Sequence, residues 1–292
     1  MCGTHYGTVP PPASFYPTTA EQSYFRSRLF LSLSSTVLAE SRRTIDGLML
    51  EEASLELLQN RALQRRVDTK FILRREHLGA LLSPLTDAYA LVRAGGHSVA
   101  QYNTLYFDTD TFDLVRQHHR GRRPRFKVRI RHYLERDLTY LEVKNKLNAN
   151  TTLKSRRPLA YEAETLFEDD LAFVDSVSPL DSKTLQPTLR TDFGRITLVG
   201  RDTMERATFD VHLRLHSEKD SFTLPNLVIA EVKQDRFRAR SPLMLRLREL
   251  ARGPQSISKY CTAAALIHPE LPLNRFRPIL RAIRKTSHGP TP

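Results

Sequence analysis

Between residues 125 and 131 the chain reads Arg-Phe-Lys-Val-Arg-Ile-Arg, an unbroken alternation of cations with apolar side chains. A period of two sends successive side chains to opposite faces of a β-strand, whereas helix neighbours lie three and four residues apart. Arg125, Lys127, Arg129 and Arg131 therefore share one face, and Phe126, Val128 and Ile130 share the other. Like charges about 7 Å apart, two rises of about 3.4 Å, repel unless an anion or facing carboxylates neutralise them. A fold for this chain must bury one side of the strand and supply negative charge to the other.

The same parity returns four times. Glu142, Lys144 and Lys146 oppose Leu141, Val143 and Leu147, with Asn145 as an interruption, and Arg66, Asp68 and Lys70 oppose Val67 and Phe71. Arg206, Asp210, His212 and Arg214 oppose Ala207, Phe209 and Val211, while Glu231 and Lys233 oppose Ala230 and Val232. For any one strand, charges turned to water explain the pattern as well. Taken together, the five strands suggest a closed or nearly closed sheet with its charged faces inward and helices covering the apolar outside. Arg and Lys then converge on a phosphate chain, with guanidinium forks holding its oxygens. Glu142 and Glu231, with Asp68 and Asp210, are candidate hard-oxygen ligands for Mg²⁺ or Mn²⁺.

The charge is concentrated. Of a formal net +13 over 292 residues, residues 115–160 supply +11, from fourteen basic and three acidic side chains, and residues 273–292 supply +5. Such blocks suit a polyanionic partner held in one place. Two cysteines, Cys2 and Cys261, exclude a disulfide scaffold and a Cys-ligated zinc site. The apolar run at 29–39 is broken by Ser and Thr and falls far short of the roughly 20 residues a bilayer requires, so a cytoplasmic chain without an integral membrane segment is expected.

Further strands are predicted at 99–107 and 188–199, beside the charged ones at 67–71, 126–133, 139–147, 205–215 and 227–233. Helices are predicted at 48–63, 77–92, in two stretches around 159–173, at 242–252 and at 258–267, followed by a basic terminal helix. Many antiparallel-looking strands with interspersed helices mean α+β. Residues 1–45, rich in Pro, Ser and Thr, read as a mobile arm, 46–270 as the folded domain and 271–292 as a basic helix or tail.

Several motifs occur in order: Arg66-Val-Asp-Thr-Lys70-Phe, Tyr102-Asn-Thr-Leu-Tyr-Phe-Asp-Thr109, His119-Arg-Gly121, Lys127-Val-Arg129-Ile-Arg131-His-Tyr133 and Leu141-Glu-Val-Lys144-Asn-Lys146. They continue with Lys154-Ser-Arg156, Phe193-Gly-Arg195, Glu205-Arg206-Ala-Thr-Phe-Asp210, Ala230-Glu231-Val-Lys233 and Ser258-Lys259-Tyr260. In this order, over about 65–268, they resemble the VTC domain, the polyphosphate polymerase domain of the vacuolar transporter chaperone complex in the triphosphate tunnel metalloenzyme superfamily. The resemblance implies a closed, eight-stranded antiparallel β-barrel, a tunnel whose basic interior binds a triphosphate and whose glutamate binds the metal. By position it implies Lys70, Arg129, Arg131, Lys144, Arg195, Lys233 and Lys259 as the phosphate-handling set and Glu231, assisted by Glu142, as ligand to Mn²⁺ or Mg²⁺. Arg125, Lys127, Lys146, Lys154, Arg156, Arg206 and His119 are the further candidate substrate contacts. Arg66 and Asp68 stand where the related CYTH branch has two glutamates, which favours the VTC branch and leaves fewer acidic ligands. No phosphate-sensing SPX domain or membrane helix is read here, so the resemblance is to stand-alone bacterial members.

The implied activity is transfer of the γ-phosphate of ATP to a growing linear polyphosphate. Two alternatives stay open. One is a triphosphatase acting on inorganic, nucleoside or RNA 5′-triphosphate, and the other is a non-catalytic polyphosphate-binding module. ATP or another triphosphate and inorganic polyphosphate are the expected partners. Nucleic acid is not expected, since Trp is absent and the charged strands show no obvious row of stacking aromatics.

Overall fold

A computed structural model of the chain describes residues 35–61, 66–148, 151–251 and 253–287. These belong to a unit spanning Leu33–Pro292; of the mobile arm expected at 1–45, residues 1–34 lie outside the described residues and 35–45 do not form an arm. From Ser35 the chain is already helical, as α1 (Ser35–Asp46), which buries Leu38 and Ile45.

Among the described residues ten strands form one antiparallel sheet: β1 (Val67–Arg74), β2 (Tyr89–Leu91), β3 (Ala100–Asp108), β4 (Arg125–Tyr133), β5 (Leu138–Lys146), β6 (Thr152–Leu159), β7 (Gln186–Gly200), β8 (Glu205–His216), β9 (Ser221–Leu224) and β10 (Leu227–Gln234). Their order is β1-β10-β8-β7-β3-β4-β5-β6, with β2 added to β7 and β9 to β8. The closed eight-stranded barrel expected above is not formed, because among the described residues β1 and β6 end the path without pairing. The physical reason lies at both edges. Gln255 N–H donates to the Lys70 carbonyl at 2.7 Å, so the segment 254–258 takes backbone that a sixth-strand neighbour would need. On the other edge β6 carries Lys154, Arg156, Arg157 and Pro158, and cations together with a residue lacking an N–H disfavour pairing with the basic β1. The sheet curls nonetheless, since Lys70 of β1 and Lys144 and Lys146 of β5 line one cavity.

The outer face is apolar, as the alternation requires. Phe71, Leu73, Ile196, Phe209, Val228 and Val232 pack against α1, α3 (His77–Leu82) and α6 (Pro242–Leu250), while Val128, Ile130, Leu141 and Val143 pack against Val174 of α5 (Glu168–Val177). Each fully buried side chain of this kind contributes about 1.5–3 kcal/mol. One end of the inner face is also apolar, where Ile72, Phe193, Leu213, Leu215 and Ile229 meet α7 (Lys259–Ile267) and α8 (Arg277–Ser287). The basic C-terminal segment thus inserts Ile279 and Ile283 into the core.

Three helix predictions change. Among the described residues of 48–63 only Leu55–Asn60 (α2) is helical, started by Ser54 Oγ accepting from Leu57 N–H at 3.1 Å, and 62–63 lie outside the described residues. Residues 77–92 break after α3 into a 3₁₀ turn at Ser83–Leu85 and then β2, because Pro84 has no N–H to continue the ladder. Of the two helical stretches expected around 159–173 one is found, α5 at Glu168–Val177, while Leu159 ends strand β6 and 160–167 is irregular. The alternation in β8 also fails beyond Asp210. A β-bulge, with His212 at φ 53, shifts the β7–β8 register and turns His212 to the outer face, where its Nε2 meets Ser41 Oγ at 2.5 Å. Burial holds that imidazole down to about 4, with Arg75 adding to the effect.

Candidate functional site

Strand register assembles the inner face. Between β4 and β5, Arg129 stands opposite Glu142, Lys127 opposite Lys144 and Arg125 opposite Lys146, and β6 brings Arg156 to Glu142 and Lys154 to Lys144. Glu142 is fully buried. Its Oε2 accepts from Arg129 Nε at 2.8 Å and Nη2 at 2.7 Å, and its Oε1 accepts from Tyr133 Oη at 3.2 Å and pairs with Lys154. Burial alone would raise this carboxyl, but Arg129, Arg131 and Lys154 hold it well below the usual range. Arg131 Nε donates to Thr104 Oγ1 at 3.0 Å, and the Arg156 guanidinium lies 4.9 Å over the Tyr140 ring.

A second cluster centres on Asp210, also buried. Arg195 grips it with Nε at 2.6 Å and Nη2 at 2.8 Å, and Lys259, the first residue of α7, pairs with the same carboxylate. Lys259 Nζ stands 4.4 Å from the Phe193 ring centre and Arg195 4.9 Å from that of Tyr102. In a third cluster Glu231 Oε2 accepts from Lys233 Nζ at 2.6 Å, while its Oε1 lies 3.7 Å from Lys70 Nζ. Burial opposes ionisation of Glu231, but Lys70 and Lys233 prevail and hold it well below the usual range. Arg206 faces the same side, opposite Lys233.

Beside these clusters lies a cavity of about 670 Å³ lined by Lys70, His118, Arg125, Lys127, Lys144 and Lys146, among others. Ser258, which caps α7 through Cys261 N–H, also accepts from Lys127 Nζ at 2.6 Å, so the helix start fixes a cavity lysine. Burial lowers Lys144 to about 7, and Lys127 and Lys70 add to the effect. His119, the last residue of α4 (Asp113–His119), is by contrast turned to the C-terminal segment: its Nε2 accepts from Arg275 N–H at 3.0 Å, and its neighbour His118 is the one that lines the cavity.

The alternation did not single out Tyr106. Its buried phenol sits among the cations, stacked on Tyr260 with ring centres 4.5 Å apart. Burial would raise it, but Arg129, Arg131, Lys127 and Lys259 together bring it down to about 8. The inner face does carry aromatic rings after all, Tyr102, Tyr106 and Phe193 on β3 and β7, each with an arginine or lysine over it. Their parity with Arg195 and Thr104 was the available signal.

Residues 65–268 match the VTC domain. The chain belongs to the VTC domain family. No curated protein matches it. Among solved structures, this VTC domain is similar to a candidate adenylate cyclase from Bacillus halodurans, at 14% identity over 78% of this chain and 94% of that one, with a TM-score of 0.39. Another is a candidate adenylyl cyclase from Hippeastrum described as having a dominant triphosphatase activity, at 14% identity over 71% and 99% of the two chains, with a TM-score of 0.40.

The residues of this VTC domain fit a divalent cation in a limited way. Among the described residues no group of three or more His, Cys, Asp or Glu gathers as a metal cage. Mg²⁺ is commonly held by one or two carboxylates with phosphate oxygens and water completing the shell. Glu231 suits that role, with Oε1 only loosely paired, whereas Glu142 has its acceptor positions filled by Arg129, Lys154 and Tyr133.

The Lys144 ammonium gives a pH dependence with a definite sign. With its pKa near 7 in the free protein, it is protonated below that value, and a bound polyanion favours the charged form. Tripolyphosphate affinity is therefore expected to fall as pH rises from 7 to 9, by up to about tenfold per pH unit from this one group. Titration calorimetry of wild type beside Lys144→Arg checks it, since the ligand's own ionisation is common to both. Identical pH profiles would remove Lys144 from the contact.

Proposed function

We propose that this VTC domain is a metal-dependent ATP–polyphosphate phosphotransferase that lengthens linear polyphosphate on its basic inner face. The observation that carries this reading is the extent of that face. The β4 row from Arg125 to Arg131 alone covers about 20 Å at about 3.3 Å per residue, and Lys70, Lys144, Arg195, Lys233 and Lys259 extend it across the sheet. That is more cationic surface than three linked phosphates need, and it suits a chain.

The chemistry is in-line attack of a terminal phosphate oxygen of the chain on the γ-phosphorus of ATP. The new P–O bond lengthens the chain by one phosphate, the bond from the γ-phosphorus to the β,γ-bridging oxygen breaks, and ADP leaves with that oxygen. No protein nucleophile takes part, so positioning and charge neutralisation carry the catalysis. Arg129 and Arg195, fixed by Glu142 and Asp210, present guanidinium groups whose orientation is set before substrate arrives. Lys70, Lys144, Lys233 and Lys259 neutralise non-bridging oxygens, and Arg131 does the same beside Thr104. Arg125, Lys127, Lys146, Lys154, Arg156 and Arg206 hold the flanking phosphates. A Mg²⁺ or Mn²⁺ held by Glu231 and phosphate oxygens would supply further neutralisation of the transferred group.

Purified protein incubated with ATP and Mn²⁺ or Mg²⁺ is expected to yield long chains, seen on gels and as internal-phosphate resonances in ³¹P NMR. Orthophosphate without chains would instead make it a triphosphatase, and tight polyphosphate binding without turnover would make it a binding module.

A further inference from the structure

Outside the family match, residues 269–287 carry a feature that the reaction does not use. The opposite face of α8 is anchored by Ile279, Ile283 and Thr286, all buried, so Arg277, Arg281 and Lys285 face outward at intervals of four. None of the three forms an ion pair among the described residues. This row begins at the cavity. Arg275 donates from its backbone to His119 Nε2 and from Nη1 to the His119 carbonyl at 3.3 Å. Phe276 meets the rings of His118 and His119 edge-on, and His118 lines the cavity. The Arg275 guanidinium lies over Gly121, where any Cβ would come within 2.6 Å of Nη1, and its charge bears on the cavity-lining Arg125.

We propose that Arg275, Arg277, Arg281 and Lys285 form a track on which the part of a long polyphosphate chain lying outside the cavity is held. The proposal rests on the reading of this site as one for polyphosphate. Four cations in continuity with the cavity, Arg275 before the helix and three more along about 12 Å of it at 1.5 Å per residue, match a flexible polyanion of uniform charge. Phe276, the ring that stands between these cations in sequence, is turned onto His118 and His119 and packs against the core, so it is not presented as a platform of the kind that single-stranded nucleic acid stacks upon. Tripolyphosphate, with three phosphates, is expected to be held by the inner-face cations alone, so the track is expected to act on long chains.

The test is binding of tripolyphosphate and of long-chain polyphosphate to the full-length protein without ATP, in wild type and in the variant combining Arg277→Gln, Arg281→Gln and Lys285→Gln. Long-chain affinity is expected to weaken on the order of tenfold, and its salt slope to fall by about 2, at about 0.7 per charge lost, with tripolyphosphate affinity unchanged. Arg281→Gln alone, at an exposed position, gives a smaller loss of the same kind and keeps the test if the triple variant does not fold. Unchanged long-chain affinity, or an equal loss for both ligands, overturns the track. So does a variant that loses only binding to a single-stranded oligonucleotide or to anionic phosphatidylglycerol vesicles. Because binding is read without turnover, a wild-type chain that releases only orthophosphate from ATP overturns the proposed polymerase and leaves this result standing.

Discussion

Glu231→Gln is expected to cut metal-dependent turnover of ATP by about 100-fold or more, beyond the 10–100-fold seen when residues supporting a metal ligand are lost, while polyphosphate binding is retained or tightened. The sign of the second effect follows from the site. Glu231 stands between Lys70 and Lys233, so neutralising it leaves the inner face more positive. Turnover and binding therefore move apart, which simple misfolding would not produce. Both are measured on one preparation, with a Mn²⁺ titration alongside. Full activity in Glu231→Gln would take Glu231 out of the mechanism, and parallel loss of binding and turnover would make its role structural.

Glu142→Gln is expected to act on stability first. The buried carboxylate neutralises Arg129 and Lys154, and removing one partner of a buried ion pair costs about 3–5 kcal/mol because the other charge is left uncompensated. Tripolyphosphate should return much of this by supplying the missing negative charge, with about 2.7 kcal/mol expected at a ligand concentration of about 100 times Kd. Urea unfolding of both proteins with and without tripolyphosphate measures it. An equal ligand effect in the two would show that the anion does not reach the Arg129 cluster. In wild type the Glu142 pKa is lowered on folding, so its contribution is complete above the ordinary glutamate range and is lost as pH falls through the lower folded value.

The strands that carry the site were legible because alternation of charge and apolarity fixes a face without tertiary information. Arg125, Lys127, Arg129 and Arg131 share the inner face, and Phe126, Val128 and Ile130 are buried on the other, as the period requires. Parity, however, holds only while the ladder is regular. The bulge at His212 exchanged faces in mid-strand, and nothing in the local composition announced a positive φ at a histidine. Strand β6 escaped notice because an edge strand need not be apolar, with Leu153 exposed and Lys154, Arg156 and Arg157 following. Alternation also determines which side faces inward but not whether the last strand meets the first. That depended on the loop 254–258 taking the Lys70 carbonyl. Tyr106 was legible as strand but not as a group in the site, because its setting comes from cations on β4 and α7 that lie far from it in sequence.

The unpaired edges of the sheet bear on how a polymer gets in. A barrel sealed by hydrogen bonds around its whole girth can take up a linear chain only by an end, so the ends must be free and the middle of a long molecule is out of reach. Here the first and last strands of the sheet order share no ladder among the described residues, and the loop 254–258 holds the edge of the first through the Lys70 carbonyl. If the site takes polyphosphate as proposed, a chain blocked at both ends, or cyclic, is expected to bind as well, because no ladder has to open to admit it from the side.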